Sequence, residues 1–452
     1  MAMTIPFEAY FENLRGKHVA VLGLGVSNRP LVRLLLEFGC IVSGGDRTER
    51  EKLDAEVLEL EKLGCKLYLG EHFYEEMTAD VAFRTPGMHP DSPAVRALRE
   101  SGAVITSEME AFFQVCPCDI IAVTGSDGKT TTTTLISEML KAEGKTVWLG
   151  GNIGTPLLPL TRQMKETDVA VVELSSFQLM DMNYSPRVAV ITNLAPNHLD
   201  VHKDMDEYVE AKKNIYRFQN ANGVLVINAD NAITAPLRGN GTTKTFARVG
   251  QGDVCLTNGV IRRNGEAVLN SKDILLPGVH NIENYMAAIA AVEGMVSDET
   301  IRKVAKTFGG VEHRIELVRI KDGVRFYNDS IASSPSRTIA GLRSFDQKVI
   351  LIAGGYDKHI PYDVLGPEIC AHVKKLFLGG ATGPLIREAV EKCDGVKPEI
   401  VDCGDFTSAV HAAAAAAKSG DVVLMSPASA AFDQFKNFMV RGQYYKKLVM
   451  EL

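Results

Sequence analysis

With 452 residues, 46% of them hydrophobic and 23% charged, the chain can bury several cores, because single domains usually run to roughly 100–200 residues. A formal net charge of −7 leaves no basic footprint for a polyanionic nucleic acid, although a local positive pocket for phosphates remains open. No apolar run approaches the ~20 residues that span a bilayer, and residues 1–8 lack a basic then apolar leader pattern, so a cytoplasmic protein with no membrane partner is expected.

Short β-rich runs alternate with helical stretches, which predicts α/β layers with parallel sheets. A strand at 17–22 enters a glycine turn, a helix follows over 30–38, and the next strand covers 40–46, making a βαβ unit. A second series opens at Asp119 and continues through strands at 168–173, 187–192 and 223–228. These runs are apolar on both faces, as strands covered on two sides should be. Between 253 and 277, Asn258-Gly259 and Asn264-Gly265 mark hairpins of a small antiparallel patch. After Gly309-Gly310 a third α/β series begins, with strands near 348–353, 375–378 and 421–425. Three domains are expected, over 1–112, 113–310 and 311–452, the outer two Rossmann-like and the middle one a phosphate-loop ATPase-like parallel sheet. The alanines from 412 to 417 read as a closely packed helix. The eight cysteines are expected to be buried, reduced thiols, since Cys116 and Cys118 lack the spaced second pair of a structural zinc site.

The most specific local signal is Gly125, Ser126, Asp127, Gly128, Lys129, Thr130 and Thr131, set between a buried strand and a helix. Glycines let backbone N–H groups turn toward phosphate oxygens, the helix N-terminus adds positive potential, the lysine meets terminal phosphates and the threonine hydroxyl can reach magnesium. Only two residues separate the glycines, fewer than in the general Walker loop. That short form resembles the loop of the Mur ligase and folylpolyglutamate synthetase superfamily, and it shifts the expectation from kinase toward ATP-dependent amide ligase. Further segments look like the family's successive motifs, in order: Asn152 with its flanking glycines, Glu173 through Gln178, Thr192 through Asp200, Ala211-Lys212-Lys213, His280 through Asn284, His313-Arg314 and Asn328-Asp329-Ser330. The Glu173 string and the closing segment from Ser426 to Phe438 look like the branch that adds D-glutamate to UDP-N-acetylmuramoyl-L-alanine in peptidoglycan synthesis.

The resemblance implies roles residue by residue. Lys129, Asn152, Glu173, His198 and Lys212 would be catalytic, with Thr130, Glu173, His198 and Lys212 around magnesium and Lys212 carrying a carbamate. Asn281, Asn284, Arg314 and Asp329 match family positions that contact ATP, and the third domain would close over it. The uridine nucleotide would lie against Gly23, Leu24, Gly25, Val26, Ser27, Asn28, Asp46, Arg47, Thr85, Pro86 and Gly87. Read on its own, the glycine turn begins like a dinucleotide fingerprint but has Asn28 where the third glycine belongs. The amino acid would sit near Ser333, Lys358 and Phe438, with Lys358 pairing its carboxylate. Ile331, Ala431 and Asn197 depart from the family pattern around the incoming amino acid and the metal. A monomer is the working expectation. A sibling ligase with another amino acid, a folylpolyglutamate-type ligase and a non-catalytic ATP switch stay open as alternatives.

Overall fold

In the computed structural model, which describes residues 4–198 and 201–452, the apolar runs become strands of three mainly parallel sheets. One compact unit takes the residues up to Ser271 together with Glu283–Val304; the other takes Lys272–Ile282 and Ala305–Leu452.

The first unit holds two sheets. β1 (His18–Leu22), β2 (Ile41–Asp46), β3 (Lys66–Leu69), β4 (Val81–Arg84) and β5 (Val104–Thr106) are parallel in the order 3-2-1-4-5. The order reverses beside β1, so a crevice opens between the turns that follow β1 and β4, where open α/β sheets take ligands. The larger sheet comprises β6 (Asp119–Thr124), β7 (Val147–Gly151), β8 (Val169–Glu173), β9 (Val188–Ile191), β10 (Val224–Asn228), β11 (Thr242–Ala247), β12 (Val254–Thr257), β13 (Val260–Arg263) and β14 (Glu266–Asn270), in the order 14-13-12-11-10-9-6-8-7. Its centre is buried on both faces, as continuous Val/Ile/Ala strands require. Each such Val or Ile taken out of water contributes roughly 1.5–3 kcal/mol. The antiparallel β12–β14 edge turns at Asn258-Gly259 and Asn264-Gly265, all four with positive φ, the geometry that tight hairpins demand.

Residue 112, where the sequence suggested a boundary, lies inside the helix Glu108–Val115, and Phe112 is wholly buried. The two sheets share one apolar core that runs from Phe11 and Leu35 through Phe112 to Leu179 and Tyr208, so a buried helix joins them.

In the second unit, β15 (Glu316–Lys321), β16 (Val324–Asn328), β17 (Val349–Ala353), β18 (Val373–Gly379), β19 (Glu399–Gly404) and β20 (Val422–Met425) form a sheet in the order 15-16-20-17-18-19. Only β15 is antiparallel, and it turns into β16 through Asp322-Gly323, both at positive φ. The polar residues of β15 hid it from a search for apolar runs, although its Asp-Gly turn is a strong hairpin signal. All eight cysteines are free thiols; four are buried, while Cys255, Cys370, Cys393 and Cys403 are half-buried. Among the described residues no helix is long and apolar enough to cross a membrane.

Candidate functional site

Strand order sets the centre of the site. β6 lies between β9 and β8, in registers that put Val123 opposite Glu173 and Thr124 opposite Ile191, so three strands widely separated in sequence end side by side. The phosphate loop leaves β6 there. Gly125 has φ +148 and a Cβ on it would lie 1.9 Å from Thr192 Oγ1; Gly128 has φ +76 and a Cβ on it would lie 2.3 Å from Asn284 Oδ1. The loop is thus pinned at both glycines by other segments. Asn193 braces it further, its carbonyl accepting from Ser126 N at 2.9 Å and its Oδ1 from Asp127 N at 3.0 Å. The Ser126 hydroxyl is consumed internally by Ala195 and Tyr208. Thr130 and Thr131 lie in the first turn of the helix Lys129–Ala142, where amide N–H groups have no partner within the helix. Lys129 Nζ folds back to donate to Ser126 O at 2.9 Å.

Beside this loop lies a buried polar cluster. Lys212 Nζ donates to Thr124 Oγ1 at 3.0 Å, and Thr124 Oγ1 in turn donates to Leu174 O at 2.7 Å. Lys212 is 2% exposed, with Nζ 4.9 Å from the centre of the Tyr208 ring. Burial drives its amine well below the usual lysine range; the Lys129 charge adds to that and the Glu173 charge opposes it. The adjacent Lys213 instead pairs with Glu210 at 2.6 Å. Glu173 Oε1 accepts from Asn152 Nδ2 at 2.7 Å, and Asn152 N donates to Glu173 O at 2.8 Å. Glu173 Oε2 is buried without a hydrogen-bond partner among the described residues. His198 has φ +56, and its ring meets the Phe177 ring at 5.2 Å; Phe177 stacks in turn on the buried His202. Leu199 and Asp200, which end this motif, lie outside the described residues.

A magnesium ion fits these groups in one respect that can be tested on the structure: a buried carboxylate oxygen lacking a donor is an acceptor waiting for a cation. A neutral lysine amine at 212 adds no oxygen ligand; a carbamate there would.

The nucleotide candidates of the first sheet divide into those facing outward and those holding the turn. Asn28 is buried and its Nδ2 donates to Gly23 O at 2.8 Å, while the Leu24 side chain is in the core. The Asp46 carboxylate accepts from Leu24 N at 2.8 Å and Thr48 N at 2.9 Å, so it locks the glycine turn from the next strand. Gly23 needs its φ of +83, because a Cβ would strike Thr85 Cγ2 at 2.6 Å. Gly25, Val26, Arg47 and Gly87 are exposed. Val26, Ser27, Asn28 and Pro86 line a cleft of about 300 Å³ together with Asn152, just after β7, and Gln178, in the short helix after β8, which links this turn to the Glu173 cluster.

The second unit carries the remaining candidates. Asn281 Nδ2 donates to Pro277 O at 2.6 Å. Asp329 is buried, with Oδ2 accepting from Ser426 Oγ at 2.7 Å and Oδ1 from Ile315 N at 3.3 Å; burial raises its carboxyl to about 7, against the pull of Ser426 and the Arg314 charge. It braces the turn around Arg314. Ser333 is half-buried, Lys358 is exposed 6.0 Å from the Phe432 ring, and the half-buried Phe438 ring lies 6.2 Å from that of His313.

Sequence reasoning passed over Thr124, which joins Lys212 to the strand end, and Tyr208, one helical turn before Lys212 and therefore on the same face. It also passed over Arg84. That buried guanidinium donates to Met88 O at 2.8 Å and to Phe177 O at 3.2 Å, tying the first sheet to the second. The spacing of four between 208 and 212 was a usable signal; nothing local marked Arg84.

A glycine-pinned loop between a buried parallel strand and a helix, with lysine, carboxylate and threonine at neighbouring strand ends, defines a phosphate-loop α/β protein. The model of the Mur ligase middle domain matches residues 123–292, and that of the Mur ligase glutamate ligase domain matches 313–429. A UDP-N-acetylmuramoylalanine--D-glutamate ligase of Acetivibrio thermocellus is 50% identical over 99% of both chains, and one of Clostridium botulinum strain Hall is 48% identical over 99% of both. The chain belongs to the Mur ligase family. The solved UDP-N-acetylmuramate-alanine ligase of Thermotoga maritima shares the fold, with a TM-score of 0.58 at 18% identity, over 96% of this chain and 99% of that one.

Proposed function

We infer that this chain is an ATP-dependent carbon–nitrogen ligase that joins D-glutamate to UDP-N-acetylmuramoyl-L-alanine, a cytoplasmic step in peptidoglycan synthesis. The observation that carries the reaction class is the convergence of Lys129, Lys212, Thr124, Glu173 and Asn152 at adjoining strand ends beside the phosphate loop. The amino acid and the uridine nucleotide come from the full-length relatives, whose names specify them.

A carboxylate is a poor acyl donor, so the alanyl carboxylate first takes the γ-phosphoryl group of ATP, with ADP leaving. The amine of D-glutamate then attacks the acyl phosphate carbonyl, and phosphate leaves as the amide forms. Lys129, reaching over the loop, neutralises charge on the moving phosphoryl group. Gly125 to Thr131 receive the phosphates, and Asn152 orients Glu173 while facing the cleft that receives the acceptor. Magnesium, when bound, supplies Lewis-acid charge neutralisation at the phosphates, and Thr130, Glu173, His198 and a carbamylated Lys212 would hold it. The unprotonated Lys212 amine is the form that adds carbon dioxide, releasing one proton and becoming an anion. In the second unit, Asn281, Arg314 and Asp329 serve ATP, and Ser333, Lys358 and Phe438 serve the amino acid.

The test is a matrix of acceptor carboxylates against D- and L-amino acids, with phosphate release as the readout. Release that requires both UDP-N-acetylmuramoyl-L-alanine and D-glutamate is expected. Faster release with L-glutamate, lysine or D-alanyl-D-alanine would overturn the assignment of the amino acid.

A further inference from the structure

Arg441 takes no part in the chemistry above, yet it is the largest wholly buried side chain of the second unit, at 1% exposure. It lies in the first turn of the helix Phe438–Glu451. Its Nε donates to Ser330 Oγ at 3.1 Å, one terminal nitrogen donates to Ala430 O at 3.0 Å, and the other donates to Ser330 O and Ser429 O, each at 3.0 Å. None of these acceptors is a carboxylate. Burial pushes the guanidinium down to about 10, and the more distant Asp433 charge opposes that only in part. A cation buried without an ion pair is costly, so its place in the fold calls for a reason beyond packing.

The acceptors supply that reason. Ser330 follows β16, and Ser429 and Ala430 follow β20; a Cβ on Gly355, in the turn after β17, would lie 3.1 Å from the guanidinium. One planar group therefore touches all three turns at the carboxyl ends of adjoining strands β16, β20 and β17. Ser330 Oγ, accepting from Arg441, donates its own proton to Phe438 O at 2.7 Å and so sets the start of the last helix. Ser333 is three residues beyond Ser330, Lys358 three beyond Gly355, and Phe438 one turn before Arg441.

We propose that Arg441 is the positioning residue of the amino-acid subsite, holding the Ser333, Lys358 and Phe438 segments in mutual register and thereby setting how tightly the amino acid binds. This rests on the reading that those three residues receive the amino acid. A lysine at 441 keeps the charge but presents a single nitrogen, which cannot span Ser330 and Ala430 together; a methionine keeps the bulk and removes every donor.

The experiment is steady-state kinetics on wild type, Arg441→Lys and Arg441→Met, with each substrate varied in turn. The KM for D-glutamate is expected to rise about tenfold in Arg441→Lys and about a hundredfold in Arg441→Met, as the charge-assisted hydrogen bonds to the turns after β16 and β20, and the packing against Gly355, are first thinned and then removed. The KM values for ATP and the uridine nucleotide are expected to stay within about twofold, a split that general loosening of the fold would not produce. Parallel rises in all three KM values, or an unchanged KM for D-glutamate in Arg441→Lys, would overturn the proposal; if Arg441→Met fails to fold, the lysine variant decides alone. The wild-type matrix separates this from failure of the functional reading. If it selects another amino acid, the same comparison runs with that one.

Discussion

Alanine at Gly128 tests how the phosphate loop is closed. Gly128 precedes the helix at φ +76, and its Cβ position lies 2.3 Å from Asn284 Oδ1, the atom that accepts from Thr132 Oγ1 at 3.2 Å. Left-handed backbone strain in an alanine costs roughly 1–2 kcal/mol, and moving Asn284 aside removes a hydrogen bond of about 1 kcal/mol. The stiffer unfolded chain returns roughly 0.4–1 kcal/mol. The net is a loss of about 1–3 kcal/mol, or a midpoint lower by several degrees at roughly 2–4 °C per kcal/mol. Gly144 is the control: it also has positive φ, +90, but nothing lies within 4 Å of its Cβ position, so only the strain applies. Thermal unfolding of both variants, followed by the KM for ATP, separates the two effects. Gly128→Ala should melt lower than Gly144→Ala and lose at least about tenfold in ATP affinity, while Gly144→Ala keeps its ATP affinity. Equal behaviour of the two variants would refute the close approach of Asn284 to the loop.

Lys129→Ala should lower turnover by about 10²–10³-fold or more in a folded protein, by analogy with the loss of a preorganised charge partner; near-normal phosphate release would remove the phosphate-loop assignment. Lys212→Ala should lose activity that small carboxylates such as acetate partly restore, and wild-type turnover should fall when dissolved carbon dioxide is stripped. Lys213→Ala, which breaks only a partly exposed pair with Glu210, should change little; an essential Lys213 beside a dispensable Lys212 would reverse the assignment. Glu108 is buried at the wall of the cleft, and burial raises its carboxyl to about 7 despite the bond from Leu158 N. The folded state therefore keeps a proton that the unfolded state releases, and stability falls as pH rises from about 4.5 to about 7. Glu108→Gln should flatten that fall and stabilise the protein by up to about 3 kcal/mol at pH 8, with no gain at pH 4; denaturant melts at the two pH values check this, and an equal effect at both would sink it.

Residues close in sequence made much of the centre readable. The Gly125–Thr131 loop declares itself because glycine spacing, a buried strand before it and a helix after it are all local, and the Asn-Gly turns at 258 and 264 do so because few residues accept positive φ. Periodicity likewise located the strands that end at Thr124, Glu173 and Ile191 to within a residue or two. Lys212 could be separated from Lys213 only by resemblance, since the choice depends on which of two positions about 100° apart faces the strand ends.

Tertiary structure alone decided what those groups do to one another. That β9, β6 and β8 are neighbours, out of chain order, puts Lys129, Lys212 and Glu173 into one field; the depressed lysine and the Glu173 oxygen without a hydrogen-bond partner among the described residues exist only because of that pairing and the burial around it. The same holds for Asp46 and Asn28, nucleotide candidates whose side chains hold the glycine turn, and for Arg84 and Arg441, ordinary charges in the sequence that become hubs once burial leaves them mainly backbone carbonyls and a serine hydroxyl to satisfy. Backbone preference is a property of a few adjacent residues and can be read from them. Desolvation and long-range hydrogen bonding are properties of everything packed around a group, and that is set only when the distant strands have met.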